Sequence, residues 1–378
     1  MTQPHLDQLS AAQWLRERRL VAIHEDEVDS LDFLTGQNRR ADASLDGLIL
    51  VGAKATETAR RLRMRHPNVT VLVEPHATAQ ANATADAPFV LPTDGLFETT
   101  LAELVSDRLA NGDTYALTPT GYLTILDPDA LKAVIQRANE VDTNYLIVTV
   151  PLDSGWLKAS HRSQLIAILN RSRHPLLVSL GAAGEPLGSV EKAEGLVALM
   201  SSVENISFTR ADHLVGMEAL ARTTGAVAFG TIPSRRRTTP PNKSGFSSDK
   251  TERRPHIYYA TLNRFIRGKF ARQLFANTPP PSCDDCCDGR ALDEFSDTPD
   301  DHTAAMNHNI TSLLTKATNI TGTRVERIQA LQRIYEEAEA EHRSWEPLIG
   351  RPFSVPDDQH RFGQLSAGLP ATPRTPSR

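Results

Sequence analysis

The sequence predicts an α/β fold, a (β/α)8 TIM-like barrel followed by a C-terminal helical module. Three observations support this prediction. Short apolar runs alternate with amphipathic segments between residues 46 and 232, a strongly basic segment follows them, and all three cysteines of the 378-residue chain lie within five positions. At roughly 150 residues per domain, this length suits one large domain with appended segments or two smaller domains.

Eight short apolar runs in the central region predict the strands. Their apolar character is continuous, which is typical of strands that are buried on both faces of a parallel sheet. The runs cover residues 48–51, 69–73, 88–91, 115–117, 145–150, 175–180, 206–208 and 226–229.

Amphipathic segments between these runs predict the helices, at 54–66, 129–140, 161–171, 189–203 and 214–224. Asp127 and Pro128 precede the second segment, as the start of a helix favours. Right-handed connections between parallel strands leave two architectures, a closed barrel or an open doubly wound sheet. The open sheet usually has a glycine-rich phosphate loop after its first strand. The residues after Val51 are poor in glycine, which favours the barrel.

Segments of different composition flank the barrel, which is predicted over residues 46–232. Residues 1–45 predict an N-terminal arm, with a helix at 9–19 and an acidic stretch at 25–32. The other divisions are a basic loop and helix at 233–282 (the helix at 258–275), a helical module at 283–346 (helices at 301–317 and 325–344), and a Pro/Ser/Thr-rich tail at 347–378 that we expect to be disordered.

The composition is that of an ordinary globular protein. The chain has 41 Lys and Arg against 46 Asp and Glu, 40% apolar residues and 23% charged residues. No apolar run approaches the roughly 20 residues that cross a bilayer, and the N-terminal residues lack the apolar stretch of a secretion signal. We therefore expect a cytoplasmic protein that does not bind membranes.

The cysteines form a pattern that is typical of a metal site. Cys283, Cys286 and Cys287 lie on a short acidic turn, whereas the disulfide framework of a secreted protein would spread its cysteines along the chain. Zinc takes about four soft or borderline ligands in a tetrahedron, so three thiolates and one imidazole would complete a structural site. His302 and His308 are both candidates for the imidazole. A reduced cluster without metal is the alternative, and the adjacency of Cys286 and Cys287 leaves open which of the two binds.

A basic island follows the barrel. Between Arg235 and Arg272 there are eleven Lys or Arg and two acids, so this segment carries +9 while the rest of the chain carries −14. Lys and Arg attract the phosphates of a polyanion, and the interleaved aromatic side chains would permit stacking on unpaired bases. The segment predicts binding of nucleic acid, tRNA or DNA, by Arg235, Arg236, Arg237, Lys243, Arg253 and Arg254. A solvated helix face beside an arginine-rich loop is the alternative.

The predicted barrel, the three-cysteine turn and the helix-borne His308-Asn-Ile about twenty residues later together resemble the tRNA-guanine transglycosylases, the queuine and archaeosine transglycosylase superfamily. In that family a Cys-x-Cys-x-x-Cys turn and the histidine of a His-Asn-Leu sequence hold a structural zinc. The resemblance implies that Cys283, Cys286, Cys287 and His308 hold a structural Zn²⁺, although the spacing here is Cys-x-x-Cys-Cys. It covers roughly residues 46–314 as architecture.

Two further segments resemble that family and bear on catalysis. Asp153-Ser154-Gly155 follows the strongest predicted strand and is similar to the Asp-Ser-Gly-Gly segment that supplies the family's general acid/base aspartate. Gly230, in contrast, stands where the strand before the family's Pro-Thr-Arg loop carries the nucleophilic aspartate. Base exchange through a covalent ribosyl intermediate requires that carboxylate.

Asp212 and His213 are the other catalytic candidates. They follow the 206–208 run, at the end of a barrel strand where the active sites of such barrels are built. An aspartate beside a histidine could orient it for proton transfer, although most such pairs only make hydrogen bonds within a loop. If the protein is an enzyme, Asp153 or Asp212 would have to supply the carboxylate that Gly230 lacks.

Three functions fit these features. The first is a zinc-stabilised, transglycosylase-like barrel that binds nucleic acid and could modify or exchange a base of the guanine or 7-deazaguanine type. The second is a catalytically silent nucleic-acid-binding or partner subunit, which could work in a homodimer or a heterodimer. The third is an unrelated barrel enzyme that acts on a small anionic metabolite. A broad basic surface favours the first two, and a narrow pocket lined by Arg210, Asp212 and His213 favours the third.

Overall fold

The computed structural model describes residues 9–31, 45–92, 99–125, 127–182, 185–241, 253–350 and 352–369. Its main strands are β1 (Arg19–His24), β2 (Gly47–Val51), β3 (Val71–Glu74), β4 (Ala116–Leu117), β5 (Leu146–Asp153), β6 (Leu176–Gly181), β7 (Ile206–Ala211) and β8 (Val227–Gly230). They form one parallel sheet in the order β3-β2-β1-β8-β7-β6-β5-β4.

The two ends of this sheet meet. Strands β3 and β4 contact each other, and a parallel bridge between Asn82 and Tyr122 joins the segments that follow them. The sheet therefore curves into a nearly closed barrel. The predicted α/β barrel-like fold is confirmed, and the open doubly wound sheet is not the architecture of this chain.

Two strands differ from the sequence prediction. Strand β1 lies in the region predicted as an arm, where the helix expected at 9–19 is reduced to α1 (Ala11–Trp14). The apolar part of β1 is only four residues long, so it produced no clear strand pattern. It pairs with both β2 and β8 and so completes the barrel. The run at 88–91 is not a strand, because Phe89 makes only a single bridge, to Thr120.

Successive side chains along each strand point alternately into and out of the barrel, so the sheet has one apolar region on each face. One set packs inside the barrel beneath α1, which closes the amino ends of the strands; it comprises Leu20, Ala22, Ile49, Leu72, Leu117, Ile147, Leu177, Ala226 and Ala228. The other set packs outward against the helices. Toward the carboxyl ends of the strands the residues on the inward face become polar, as Glu74 and Thr209 illustrate. The polar side chains inside the barrel are therefore concentrated at the carboxyl ends of the strands.

Helices cover the outside of the barrel. They are α2 (Ala55–Arg65), α3 (Leu101–Ala110), α4 (Pro128–Asn139), α5 (Ala159–Leu169), α6 (Val190–Ser202) and α7 (His213–Arg222). The sequence predicted all of them except α3, with ends within two residues. Side chains of Asp127 and Ser189 cap α4 and α6 by accepting backbone N–H groups, which explains why these helices begin where they do.

The helix predicted at 258–275 is a β-hairpin followed by a short helix. The elements are β9 (His256–Tyr259), β10 (Arg264–Arg267) and α8 (Gly268–Leu274), with β9 and β10 antiparallel. Ile257 and Tyr259 belong to one buried cluster, whereas Tyr258 between them packs in another. This period of two is that of a strand, and the β-branched and aromatic residues favour it.

The C-terminal helices are α9 (Pro299–Ala317), α10 (Arg324–Ile349) and α11 (Asp357–Ser366). The sequence predicted α9 and α10, but α11 falls in the tail that we expected to be disordered. Phe362 of α11 is fully buried, and Arg361 donates a hydrogen bond to the Leu187 carbonyl. Residues 370–378 of that predicted tail lie outside the described residues. In the described parts of the chain, no helix has both the length and the apolar character needed to cross a bilayer.

We predict that Phe362→Ala lowers the free energy of unfolding by about 3–5 kcal/mol, because truncating a buried aromatic ring leaves a cavity. Leu369→Ala is the control, since Leu369 is 57% exposed, and we expect it to change this free energy by less than about 0.5 kcal/mol. Urea unfolding measures both. If α11 were loosely attached, the two variants would unfold at the same urea concentration as the unmodified protein.

Candidate metal centre and barrel mouth

The three cysteines lie on a tight hairpin. Strand β11 (Ser282–Cys283) pairs antiparallel with β12 (Arg290–Ala291), and the turn between them carries Cys286 and Cys287. Gly289 has a φ of 79° and donates its N–H to the Cys283 carbonyl at 3.0 Å, so the chain folds back sharply. Glycine adopts this left-handed conformation without the strain that a side chain would cause. The hairpin thereby brings the three sulfur atoms together.

His308 brings a nitrogen to these sulfurs from α9. Its ring is buried, and its Nε2 lies 2.9 Å from the carbonyl oxygen of Tyr258 in β9. A carbonyl can only accept, so this hydrogen bond places the ring proton on Nε2 and leaves Nδ1 unprotonated in the neutral imidazole. Nδ1 lies 3.5 Å from Cys286 Sγ and 3.4 Å from Cys287 Sγ.

The four side chains of Cys283, Cys286, Cys287 and His308, which we call the Cys3His cluster, fit one metal ion. Their ligand atoms all lie within 4.8 Å of one another. The Sγ of Cys286 lies 3.4 Å from that of Cys283 and 3.7 Å from that of Cys287. A tetrahedral ion with bonds of about 2.3 Å to sulfur and about 2.0 Å to nitrogen would separate its ligand atoms by about 3.5–3.8 Å. The cluster could therefore hold a metal ion.

The other candidate ligand, His302, lies apart from the cluster. Its Nε2 is 3.0 Å from the Asp297 carboxylate, and its side chain is nearly half exposed. Both Cys286 and Cys287, in contrast, are in the cluster. The tight turn brings the sulfurs of both adjacent cysteines close to His308 Nδ1.

The cluster favours a positive charge at its centre. Burial by itself would lower the pKa of His308, but hydrogen bonds with the Cys283 and Cys287 sulfurs outweigh it and raise this pKa to about 10. Hydrogen bonds from Cys286 and Cys287 lower the pKa of Cys283. These two shifts favour a protonated imidazole beside a thiolate, whereas the hydrogen bonds with Cys283 and Cys287 raise the pKa of the Cys286 thiol.

Helix α9 also fixes the β9–β10 hairpin. Asn309, next to His308, accepts the Tyr258 N–H at 2.8 Å and donates to the His256 carbonyl at 2.8 Å. Together with the bond from His308 to Tyr258, these contacts hold β9 against α9. The position of the hairpin therefore depends on two adjacent side chains, one of which belongs to the Cys3His cluster.

Asp153 ends β5 at the mouth of the barrel, as the sequence predicted. One carboxylate oxygen accepts the Gly155 N–H at 2.8 Å, and the other accepts the Tyr122 hydroxyl at 3.0 Å. Beside it, Lys192 donates to the Ser154 hydroxyl at 2.9 Å. Asp153 therefore begins the short 3-10 turn at Ser154–Leu157, and both of its oxygens have partners within the protein.

Asp212 and His213 have different partners. Asp212 caps α7 by accepting the Val215 N–H at 2.8 Å, and burial raises its pKa to about 6. The His213 ring packs against Tyr258 and Phe265, with centroids 5.7 and 5.4 Å away, and burial lowers its pKa to about 3. The structure does not pair the two side chains for proton transfer.

Gly230 ends β8 directly against the loop that follows. A Cβ atom at this position would lie 2.1 Å from the Arg235 carbonyl oxygen and 2.8 Å from the Arg236 nitrogen. These separations are far below van der Waals contact, and the obstructing atoms belong to the backbone. No side chain fits here unless the loop moves.

Arg236 folds inward with this loop. It is partly buried, its guanidinium lies 3.1 Å from the centre of the Phe265 ring, and it donates to the Gly230 and Thr231 carbonyls. Burial lowers its pKa to about 9. Arg236 is thus held at the barrel mouth by contacts within the protein.

The other predicted phosphate contacts have varied surroundings. Arg235 is partly buried, Arg237 pairs with Glu185 at 3.3 Å, Arg254 is partly buried, and Arg253 is exposed. Lys243 lies outside the described residues.

Solvent-exposed cations occur instead around the hairpin and α8. We call this group the basic face, and it comprises Arg253, Arg267, Lys269 and Arg272. Phe270 lies among them and is 41% exposed.

An ion pair spans the barrel mouth and was not predicted as a pair. Arg210, at the end of β7, places Nη2 2.7 Å from the Glu74 carboxylate at the end of β3. Arg210 has a φ of 50°, next to a register shift in β7, and this bend aims its side chain across the mouth. The two residues are 136 positions apart, so no local pattern could connect them.

Neither the models of known protein families nor the curated proteins include a match to this chain. Its function is therefore inferred from its own residues and their arrangement.

We predict that the reduced, purified protein contains about one metal ion per chain, because a closed four-ligand site holds a single ion. Cys286→Ser and Cys287→Ser should each lose most of that metal, since both sulfurs lie in the Cys3His cluster. Elemental mass spectrometry measures the content, and His302→Ala is the control that should retain it. If either cysteine variant kept its metal, that cysteine would not be a ligand.

We also predict that Gly230→Ala lowers the free energy of unfolding by about 1–3 kcal/mol, because the added methyl group collides with the Arg235 backbone. Gly188→Ala is the control, since the nearest atom to its added Cβ would be 3.5 Å away. Chemical denaturation of both variants measures the difference. Equal stability would show that the loop over β8 yields easily and that the position can accept a side chain.

Proposed function

We propose that this chain is a zinc-stabilised, transglycosylase-like barrel that binds nucleic acid and does not itself exchange bases. It acts as a binding subunit, either as two copies or beside a different partner. The observation that carries the proposal is the link from the Cys3His cluster through β9 to the basic face.

The ligand set of the cluster favours zinc. Three thiolates and one imidazole nitrogen are soft or borderline ligands, and together they fill a tetrahedron. A site with four protein ligands leaves no coordination position for a substrate. Zinc would therefore neutralise the thiolates and join the cysteine hairpin to α9, which is a structural role.

The basic face lies on the elements that the cluster holds in place. Arg267 precedes α8, while Lys269 and Arg272 lie three residues apart, on one side of that helix. Arg272 is oriented by a hydrogen bond from its Nε to the Asp293 carbonyl at 3.2 Å. Exposed cations attract phosphates whatever the base sequence, and the exposed ring of Phe270 offers a surface for an unpaired base.

The barrel mouth supports a silent role in catalysis. Base exchange through a covalent ribosyl intermediate requires a carboxylate nucleophile, and Gly230 has no space for one. The two other candidate carboxylates do not replace it. Both oxygens of Asp153 accept hydrogen bonds within the protein, and Asp212 is partly buried as the cap of α7.

We predict that the protein binds tRNA or duplex DNA. The logarithm of the association constant should fall linearly with the logarithm of the salt concentration. Arg267→Ala and Lys269→Ala should each reduce the slope of that plot by about 1, because each removes one phosphate contact. Fluorescence anisotropy across a series of salt concentrations measures the slope. Arg60→Ala, which removes an exposed charge from α2, is the matched control and should leave it unchanged.

One outcome would contradict the proposed nucleic-acid binding, and another would contradict the proposed absence of base exchange. Binding without salt dependence, or no binding to either nucleic acid, would remove the role of the basic face and favour the third function, an enzyme for a small metabolite. Incorporation of labelled guanine into tRNA by the purified protein would contradict the silent role while leaving nucleic-acid binding intact.

A further inference from the structure

A cavity of about 350 Å³ lies between α9, α10 and the turn that joins β9 to β10. It belongs neither to the barrel mouth nor to the basic face. Its walls carry hydroxyl groups from Thr261, Ser312 and Thr315 and carboxylates from Asp285, Glu337 and Glu341. A cavity of this size admits a small molecule, and its walls are suited to a ligand that is rich in hydroxyl groups.

Lys316, in the last turn of α9, brings an amine to this cavity. Its Nζ donates to the Ala260 carbonyl at 2.6 Å, which fixes the position of the nitrogen at the cavity wall. In the described part of the chain no carboxylate lies within ion-pair distance of Nζ, and Glu337 acts on it only from further away. One of the donors of the amine is therefore used by the protein, and the nitrogen is held in place without being neutralised.

The surroundings of Lys316 make its amine more nucleophilic at neutral pH. Burial lowers its pKa to about 8, and the carboxylate of Glu337 offsets only part of this effect. About a tenth of the amine is then uncharged at pH 7, whereas a lysine with the ordinary value near 10.4 has less than about a thousandth. Only the uncharged amine can attack a carbonyl group.

We propose that Lys316 is a nucleophilic amine and that the cavity binds a small hydroxy-aldehyde, which Lys316 captures as an imine. The ligand is uncharged, because three carboxylates and a single amine line the cavity and would repel an anion. The hydroxyl groups of Ser312 and Thr315 would hydrogen-bond those of the ligand. This inference is independent of nucleic-acid binding.

The chemistry of the step is balanced without any other reactant. The Nζ lone pair attacks the carbonyl carbon, and a proton moves from nitrogen to the carbonyl oxygen to give a carbinolamine. The carbinolamine then loses one molecule of water as the C=N bond forms. The water contains the former carbonyl oxygen and the two protons that were originally on the amine. Glu337 and Glu341 line the same cavity and could relay these protons.

The test uses the full-length protein and glycolaldehyde at pH 7, with sodium cyanoborohydride to trap imines and mass spectrometry to map the modified lysines. We expect Lys316 to be labelled at least about tenfold faster than the exposed Lys269, because the cavity binds the aldehyde beside the Lys316 amine, whose pKa is lowered by burial. We also expect its rate to saturate with glycolaldehyde concentration, since the ligand binds before it reacts. Slower labelling of Lys316, or a rate that rises without saturation, would overturn the proposal.

Variants and a second probe sharpen this test. Lys316→Arg keeps the charge and a donor for the Ala260 carbonyl but cannot form an imine, so the fast label should disappear. Lys192→Arg is the matched control, because burial also lowers the pKa of Lys192 but its Nζ donates to Ser154, outside the cavity.

Pyridoxal 5′-phosphate is an anionic aldehyde and should give a smaller ratio of Lys316 to Lys269 labelling than glycolaldehyde. A larger ratio would overturn the assigned ligand charge, and mapping of the unmodified protein decides the proposal even if a variant fails to fold.

Discussion

One ring nitrogen of His308 bonds to a backbone carbonyl and the other faces cysteine sulfurs. The packing of the cysteine turn, α9 and the β9–β10 hairpin depends on these two contacts. Nε2 donates to the Tyr258 carbonyl, and Nδ1 faces sulfur atoms. Burying an imidazole among thiols is costly unless each polar group is satisfied. The Tyr258 bond satisfies one nitrogen and fixes the tautomer of the neutral ring, and a metal ion held by the cluster would satisfy the other. The same ring thus connects the cysteine turn to β9, and through β9 to the hairpin, α8 and the basic face.

The sequence predicted best the features that depend on residue type and local periodicity. The cysteines were found because three thiols in close spacing have few other uses, and His308, one of two candidate histidines, was singled out by the family resemblance. Helices α2 and α4 to α7 were found because their apolar faces repeat at helical spacing. Strand β1 was missed because its apolar core is short. The hairpin β9–β10 and α11 were mistaken because their stability comes from tertiary contacts, such as the burial of Tyr258 and Phe362, that no local pattern records.

The candidate catalytic residues show a different limit of sequence reasoning. Asp153 was correctly expected at the end of a barrel strand, but the Tyr122 hydroxyl that engages its carboxylate is a long-range partner. Asp212 and His213 are adjacent in sequence, yet helix α7 begins between them, so one side chain caps the helix while the other packs on aromatic rings. Adjacency in sequence therefore does not imply proximity of functional groups when an element boundary separates the residues.

The partly buried Arg236 holds the loop after β8 against the end of that strand. Removing a guanidinium from water costs on the order of several kcal/mol unless partners replace the water. Here the Gly230 and Thr231 carbonyls accept hydrogen bonds from the guanidinium, and the Phe265 ring covers its face. These partners exist only while the loop after β8 lies against the strand, and that position requires a glycine at 230. The loop position that gives Arg236 its partners is thus the same one that leaves no space for a side chain at position 230.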